Sequence, residues 1–123
     1  MSTWILVIDD DLGTREALTE ILRRAGYQVS AWADDALLGT ASLDYPYQVA
    51  VVDYHLPSGD GLEVAARLRS LQPDCRIILT SSEFPAVSEL SPFEGLVDRF
   101  LAKPFSKDVL LEAVAQLCHP EAR

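Results

Sequence analysis

Short runs of branched apolar residues alternate along this chain with segments of helical periodicity, and that alternation restricts its fold more than any other feature. The runs are nearly continuous in hydrophobicity, which is typical of strands that are covered on both faces. They predict five strands, at residues 4–9, 28–32, 49–53, 76–80 and 97–101. Strands that alternate with helices in this way predict an α/β fold with a parallel sheet between two layers of helices.

The segments between the strands carry apolar residues at helical spacing. They predict helices at residues 12–25, 34–43 and 61–71, a fourth within 84–95, and a last one that begins after Ser106 and ends at His119-Pro120. Pro85, Pro92 and Gly95 leave little room for more than two turns in the fourth helix. Five strand and helix units in order, (βα)5, predict a doubly wound three-layer sandwich with the flavodoxin-like strand order 2-1-3-4-5.

Length and charge limit the kinds of partner that this chain can have. Its 123 residues, 49% of them hydrophobic, suit one domain, which we place at residues 1–119, with 120–123 as a C-terminal tail. The net charge of −9 argues against direct binding of nucleic acid, because neutralising phosphates requires clustered Lys and Arg. We therefore expect protein partners.

The sequence carries no signal for a membrane or for secretion. No apolar run approaches the ~20 residues that span a bilayer. The start, MSTW, lacks the basic residues and the cleavage site of a signal peptide, so we expect a cytoplasmic protein. Cys75 and Cys118 have no metal-binding spacing and are predicted to be free thiols.

Polar side chains stand at the carboxyl ends of the predicted strands. Asp9 and Asp10 follow the first strand, and Asp53 ends the third. In the predicted order these strands are neighbours, ~5 Å apart, so the three carboxylates would face one another. Carboxylates this near to one another require a cation to offset their charge. Oxygen ligands with room for water favour Mg²⁺ over zinc or calcium.

The fourth and fifth strands add a hydroxyl and a lysine to this edge, at Thr80 and Lys103. Mg²⁺, a lysine, a hydroxyl and one carboxylate are the groups that phosphoryl transfer needs, because the protein must position the phosphoryl group and neutralise its oxygens. We therefore predict that Asp53 is the nucleophile that accepts a phosphoryl group. Lys103 and the Thr80 hydroxyl would each contact one of its oxygens.

Four motifs in order resemble the receiver domain of bacterial two-component response regulators (CheY-like). They are LVIDDD, VVDYHLPSGDG, IILTS and FLAKPF, and together they span residues 6–105. The resemblance implies that a histidine kinase or a histidine phosphotransfer protein phosphorylates Asp53. It also implies that Mg²⁺ is held by Asp9, Asp10, Asp53 and the main-chain carbonyl of His55.

The same resemblance implies a switch. Thr80 and Phe100 would move on phosphorylation and remodel the face made by the helix within 84–95, the strand 97–101 and the last helix. That face would control a partner or an effector domain, which the tail could join, and it could support a homodimer. His55 and Ser82 occupy the positions that tune phosphate lifetime in the family, and no catalysis is implied beyond the chain's own phosphorylation and dephosphorylation.

Two places depart from the family pattern. The segment SPFEGLVDRF replaces the usual small-residue turn before the last strand, so the fourth helix and its loop are expected to be short or displaced. The switch aromatic is Phe100 and not Tyr, so it has no hydroxyl and would signal by packing alone.

Three other functions remain open on the sequence. DDDLGT also resembles the DxDxT motif of haloacid-dehalogenase-type phosphatases, with Asp9 as nucleophile and Asp11 as acid/base, although we expect Asp11 to cap a helix. A flavodoxin-like FMN carrier shares the strand order, but three aspartates would repel the FMN phosphate. A docking module that needs no phosphorylation would leave the complete acidic, hydroxyl and lysine set unexplained.

Overall fold

The fold is an open parallel sheet with helices on both faces. The computed structural model describes residues 3–34, 45–57, 59–83 and 95–118. The strands are β1 Trp4–Ile8, β2 Gln28–Trp32, β3 Tyr47–Asp53, β4 His55–Leu56, β5 Gly59–Asp60, β6 Arg76–Ser81 and β7 Arg99–Ala102. The helices are α1 Leu12–Arg24, α2 Gly61–Leu71 and α3 Lys107–Cys118.

The five long strands form one parallel sheet in the order β2-β1-β3-β6-β7. Counted along the chain, this is the predicted order 2-1-3-4-5, so the doubly wound, flavodoxin-like prediction is confirmed. β4 and β5 pair with each other as a short antiparallel ladder just beyond β3. The strand order places β1 beside β3, where the chemistry was expected.

Five strand boundaries differ from the prediction, including the end of β7, which lies at Ala102 and not at residue 101. β1 ends at Ile8, one residue early, whereas β3 begins at Tyr47, two residues early, and β6 runs on to Ser81. β7 begins at Arg99 and not at residue 97, because the Asp98 side chain accepts the hydrogen bond of Ile77 N–H at 2.8 Å in place of a main-chain carbonyl. The predicted strands are therefore correct in position, but the end of a strand shifts where a side chain replaces a main-chain group in the hydrogen bonding of the sheet.

The sheet separates two cores, because successive side chains of a strand point to opposite faces. In β1, Leu6 and Ile8 face the core under α2, whereas Ile5 and Val7 face the core under α1 and α3. All four side chains are fully buried. The described helices therefore cover both faces, which gives the predicted three layers.

Each described helix begins at a polar side chain that satisfies a free backbone N–H group. Asp11 Oδ2 accepts from Thr14 N–H at 2.8 Å at the start of α1, as predicted. Asp60 Oδ1 accepts from Glu63 N–H at 3.0 Å before α2, and Ser106 Oγ accepts from Val109 N–H at 3.1 Å before α3. These caps fix where the chain leaves the strand ends.

Several predictions fall outside the described residues. They are the helix at 34–43 apart from Asp34, the helix within 84–95 apart from Gly95, the helix end at His119-Pro120, and the tail 120–123. In the described portion, no helix is long and apolar enough to cross a membrane. Cys75 is buried and Cys118 is partly buried, and both are free thiols, as predicted.

Candidate functional site

Three carboxylates meet at the carboxyl edge of the sheet. Asp9 and Asp10 follow β1 and Asp53 ends β3, and one carboxylate oxygen of each lies within 4.8 Å of the others. Asp9 and Asp53 are 1% and 7% exposed, whereas Asp10 is exposed. The structure thus brings together the three acidic residues that the sequence singled out.

Asp9 is held at four points. Its N–H donates to Trp32 O at 3.1 Å, and its carbonyl accepts from Arg15 Nη1 at 2.8 Å. Its Oδ1 accepts from Asp11 N–H at 2.9 Å, and its Oδ2 accepts from Lys103 Nζ at 3.0 Å. Both carboxylate oxygens of Asp9 are therefore engaged, and the residue is an anchor of the cluster.

Asp53 is less constrained than Asp9. Its Oδ1 accepts from His55 N–H at 3.2 Å, and its Oδ2 lies 3.5 Å from Lys103 Nζ. Burial raises the pKa of the Asp53 carboxyl, and the nearby Asp9 adds to the rise, while the His55 N–H and Lys103 oppose it. Asp53 is a carboxylate whose charge is costly without further positive charge nearby.

Lys103 supplies the positive charge of the site. Burial alone would lower the pKa of its ammonium group, but the hydrogen bond and the charge of Asp9, followed by those of Asp53, hold that pKa above its ordinary value. Its main-chain N–H donates to Ser81 O at 2.8 Å, which fixes Lys103 to the end of β6. One ammonium against three carboxylates leaves an excess of negative charge.

The donor set suits a divalent cation. Carboxylate oxygens are the ligands of hard cations such as Mg²⁺ and Ca²⁺, and one exposed ligand, Asp10, leaves room for water. No thiol or imidazole belongs to the cluster among the described residues. The negative charge that the lysine does not offset is the physical reason for a cation here.

Two hydroxyls end β6. Thr80 is the register partner of Asp53 and is fully buried, and its Oγ1 lies 3.5 Å from Val52 O, at the limit of a hydrogen bond. The Ser81 hydroxyl is more firmly held, because it donates to Glu83 O at 2.9 Å and accepts from Glu83 N–H at 3.0 Å. The Thr80 hydroxyl is therefore the one that can reorient at low cost.

The remaining predicted residues lie outside the carboxylate cluster. Phe100 lies on β7, beside the register partner of Thr80, and is 38% exposed. His55 is exposed, with its ring edge-on to Tyr54 at 4.8 Å, and Ser82 is exposed beyond β6. Asp11 is not part of the carboxylate cluster, and its hydrogen bonds from the Thr14 side chain and backbone lower the pKa of its carboxyl.

Two residues that support the site were given no role from the sequence, although Gly61 ends the motif VVDYHLPSGDG. Arg15, on the first turn of α1, reaches back to the carbonyl of Asp9. Gly61, the first residue of α2, lies so close to Asp53 that an added Cβ would be 2.5 Å from Asp53 O. A helical side chain leans toward the N-terminus of its helix, so the position of Arg15 six residues after Asp9 was an available signal.

Fold and site together describe a flavodoxin-like α/β domain with a cation-binding carboxylate cluster at its sheet edge. The model of a protein family, the response regulator receiver domain, matches residues 5–115. The C4-dicarboxylate transport transcriptional regulatory protein DctD of Pseudomonas aeruginosa is 35% identical over 113 residues, which are 91% of this chain and 24% of that protein. The chain spans about a quarter to a half of the length of the curated relatives that it matches.

Solved structures agree with the sequence relatives. The response regulator TrrA of Thermotoga maritima, solved in complex with Mg(2+)-BeF, is 30% identical with a TM-score of 0.80, over 94% of this chain and 98% of that chain. A response regulator of Burkholderia pseudomallei, solved with a phosphorylated aspartic acid, a calcium ion and citrate, is 29% identical with a TM-score of 0.80, over 98% of this chain and 72% of that chain.

This chain belongs to the family of response regulator receiver domains. It is accordingly a phosphoacceptor domain of two-component signal transduction, as the sequence motifs predicted. The family match argues against the phosphatase and the FMN carrier. The geometry also argues against the phosphatase. That reaction would need Asp9 as its nucleophile, but Asp9 is 1% exposed and both of its carboxylate oxygens accept hydrogen bonds.

Proposed function

We propose that Asp53 is the residue that accepts the phosphoryl group. The observation that supports this assignment is its place in the cluster: a carboxylate at the end of β3, 3.5 Å from Lys103 and next to two further acids. Asp53 has one oxygen near a lysine and one on a backbone N–H, whereas Asp9 is anchored by both oxygens. A nucleophile must approach phosphorus, so the less anchored carboxylate is the better candidate.

In the proposed reaction an oxygen of Asp53 forms a bond to the phosphorus of a phosphohistidine. The bond from phosphorus to the imidazole nitrogen breaks, its electron pair stays on that nitrogen, and the imidazole takes up a proton. Lys103 and the Thr80 hydroxyl stabilise the negative oxygens of the transferred group. The donor is a histidine kinase or a histidine phosphotransfer protein, because the acceptor needs an activated phosphoryl group.

The cation of this site is proposed to be Mg²⁺, held by Asp9, Asp10, Asp53 and the main-chain carbonyl of His55. Few protein ligands with space for water fit Mg²⁺, which keeps several waters. When bound, it would neutralise negative charge on the phosphoryl oxygens. The mutual repulsion of the carboxylates then becomes a source of affinity for the ion.

Signal output is proposed to start at Thr80 and Phe100. The weak contact of the Thr80 hydroxyl with Val52 O lets it turn toward a phosphoryl group on Asp53, and Phe100, on the adjacent strand, would then repack. The affected surface is proposed to comprise β7 and α3 together with the segment 84–95, of which the structure describes only Gly95. It would contact an effector domain, a protein target or a second copy. His55 and Ser82, both exposed near the site, would set the lifetime of the phosphate.

The wider assignments follow from this role. We place the receiver domain at residues 1–119 and treat 120–123 as a tail that could begin a linker. The domain works in the cytoplasm, acts through proteins and binds neither nucleic acid nor membrane itself. Its catalysis is limited to its own phosphorylation and dephosphorylation.

The test is labelling by a small phosphodonor, acetyl phosphate, with MgCl₂, followed by intact-mass measurement. We expect one phosphoryl group per chain, no label in Asp53→Asn, and retained label in the control Asp60→Asn. Asp60 is also an aspartate of this loop, but it caps α2, a role that Asn can fill. Labelled Asp53→Asn would contradict the assignment, and a parent chain that takes no label would favour the docking module.

A further inference from the structure

Arg15 makes a contact that links α1 to the carboxylate cluster. Its Nη1 donates to the main-chain carbonyl oxygen of Asp9 at 2.8 Å, and its side chain is partly buried. That carbonyl belongs to the peptide bond between Asp9 and Asp10, the two acids of the cluster. A hydrogen bond from a guanidinium is charge-assisted and stronger than one from a neutral donor.

The position of the Asp10 carboxylate depends on the peptide bond between Asp9 and Asp10. Within the described ranges no hydrogen bond or ion pair holds its side chain, which is exposed. Asp9, in contrast, is fixed through both of its carboxylate oxygens. The Asp10 carboxylate is therefore restricted only through the backbone that carries it, and Arg15 holds the carbonyl of that backbone.

We propose that Arg15 is a positioning residue for the cation site, which orients the Asp10 carboxylate by fixing the Asp9–Asp10 peptide. The proposal rests on the proposed function, because it assumes that Asp9, Asp10 and Asp53 hold Mg²⁺. Arg15 does not contact the ion or the phosphoryl group in this account. Groups that orient metal ligands typically change metal affinity 10- to 100-fold when they are removed, and a single carbonyl contact belongs at the lower end.

Arg23 provides a matched control on the same helix. It lies two turns further along α1, its Nη2 lies 3.4 Å from the carbonyl oxygen of Val29, and it lines the same surface depression between α1 and β2 as Arg15. Both arginines thus reach from α1 to a main-chain carbonyl, Arg23 to one within β2 and Arg15 to one just beyond β1. Only Arg15 contacts the acidic pair.

The experiment measures Mg²⁺ binding by isothermal titration calorimetry with MgCl₂ in the absence of any phosphodonor. Arg15→Met, which keeps the apolar stem and removes the donor, is expected to bind Mg²⁺ about tenfold more weakly than the parent. Arg23→Met is expected to stay within about twofold of the parent, because its contact is remote from the cluster. A thermal melt without metal verifies that both variants are folded at the titration temperature.

A second variant keeps the test informative where Arg15→Met does not fold. Arg15→Lys retains a charged donor and is expected to bind Mg²⁺ more tightly than Arg15→Met. If Arg15→Met does not fold, Arg15→Lys is compared with the parent and is expected to bind Mg²⁺ within about threefold of it. Equal Mg²⁺ affinity of Arg15→Met and Arg23→Met would overturn the positioning role, as would an Arg15→Lys variant with no recovery. A parent chain without measurable Mg²⁺ binding would instead contradict the proposed function.

Discussion

At the scale of single residues, Asp53 combines burial with charge. The residue is 7% exposed and close to Asp9, and the pKa of its carboxyl is raised mainly by burial. Without a cation the folded chain therefore binds a proton at Asp53 more readily than the unfolded chain does. At pH values above that raised pKa, the charged Asp53 lowers the free energy of unfolding. This loss of stability disappears as the pH falls below the ordinary pKa of 3.8.

Removing this charge should stabilise the metal-free protein. Asp53→Asn is expected to raise the free energy of unfolding by about 1 kcal/mol at neutral pH in EDTA, since functional sites commonly sacrifice stability of this size. The gain should shrink as the pH is lowered, because protonated Asp53 in the parent is also neutral. Urea unfolding of parent and variant at a series of pH values measures the difference.

Asp11 offers a control, because the pKa of its carboxyl is shifted in the direction opposite to that of Asp53. The pKa of its carboxyl is lowered by hydrogen bonds from Thr14, so the charged form stabilises the fold at neutral pH and that contribution is lost on acidification. Asp11→Asn should therefore be less stable than the parent at neutral pH and converge with it in acid. An Asp53→Asn variant that behaves like Asp11→Asn would contradict the account of Asp53.

At the scale of elements, the connection from β3 to α2 sets the backbone position of Asp53. Gly61 N–H donates to Tyr54 O at 2.7 Å, and Tyr54 N–H donates to Thr80 O at 2.8 Å, so the connection is fixed to β6. A Cβ on Gly61 would lie 2.5 Å from Asp53 O, 2.8 Å from Leu79 Cδ1 and 3.0 Å from Tyr54 Cα. Two of these atoms belong to the backbone and cannot rotate away.

Gly61→Ala is therefore expected to lower the free energy of unfolding by about 2 kcal/mol, as overpacking does in tight sites. The rate of labelling by acetyl phosphate should fall as well, because the displaced atom belongs to Asp53. Gly13→Ala in α1 is the control: its Cβ would meet only Asp11 Oδ2, at an ordinary 3.6 Å. A Gly61→Ala variant as stable as Gly13→Ala would exclude the close approach.

The same scale shows why sequence predicts some elements well and others poorly. The caps at Asp11 and Ser106 are local, since each side chain bonds a backbone N–H three residues away, and both were predicted. The start of β7 depends on Asp98, which bonds Ile77 21 residues earlier in the chain and also pairs with Arg69 at 2.9 Å. Contacts this distant leave no periodic signal, so the boundary was wrong by two residues.

At the scale of the whole molecule, the strand order brings residues far apart in sequence to one edge. The alternation of strands and helices defines the strand order, so the place of Lys103 at the same sheet edge as Asp53 could be predicted. Its shortest contact, 3.0 Å from Nζ to Asp9 Oδ2 across 94 residues, was not predicted. The different environments of the neighbouring acids could not be predicted: the Asp9 carboxylate is held by hydrogen bonds, whereas Asp10 is exposed. That depends on individual hydrogen bonds, including the one from Arg15.

The most direct test of the account is to locate the phosphoryl group on the parent chain. After reaction with acetyl phosphate and MgCl₂, borohydride reduces an aspartyl phosphate to homoserine, which peptide mass spectrometry places in the sequence. We predict homoserine at residue 53 and at no other aspartate, with release of phosphate limited to the decay of that one group. Homoserine at residue 9 or 10, or continuous turnover of many phosphates per chain without label at Asp53, would contradict the account.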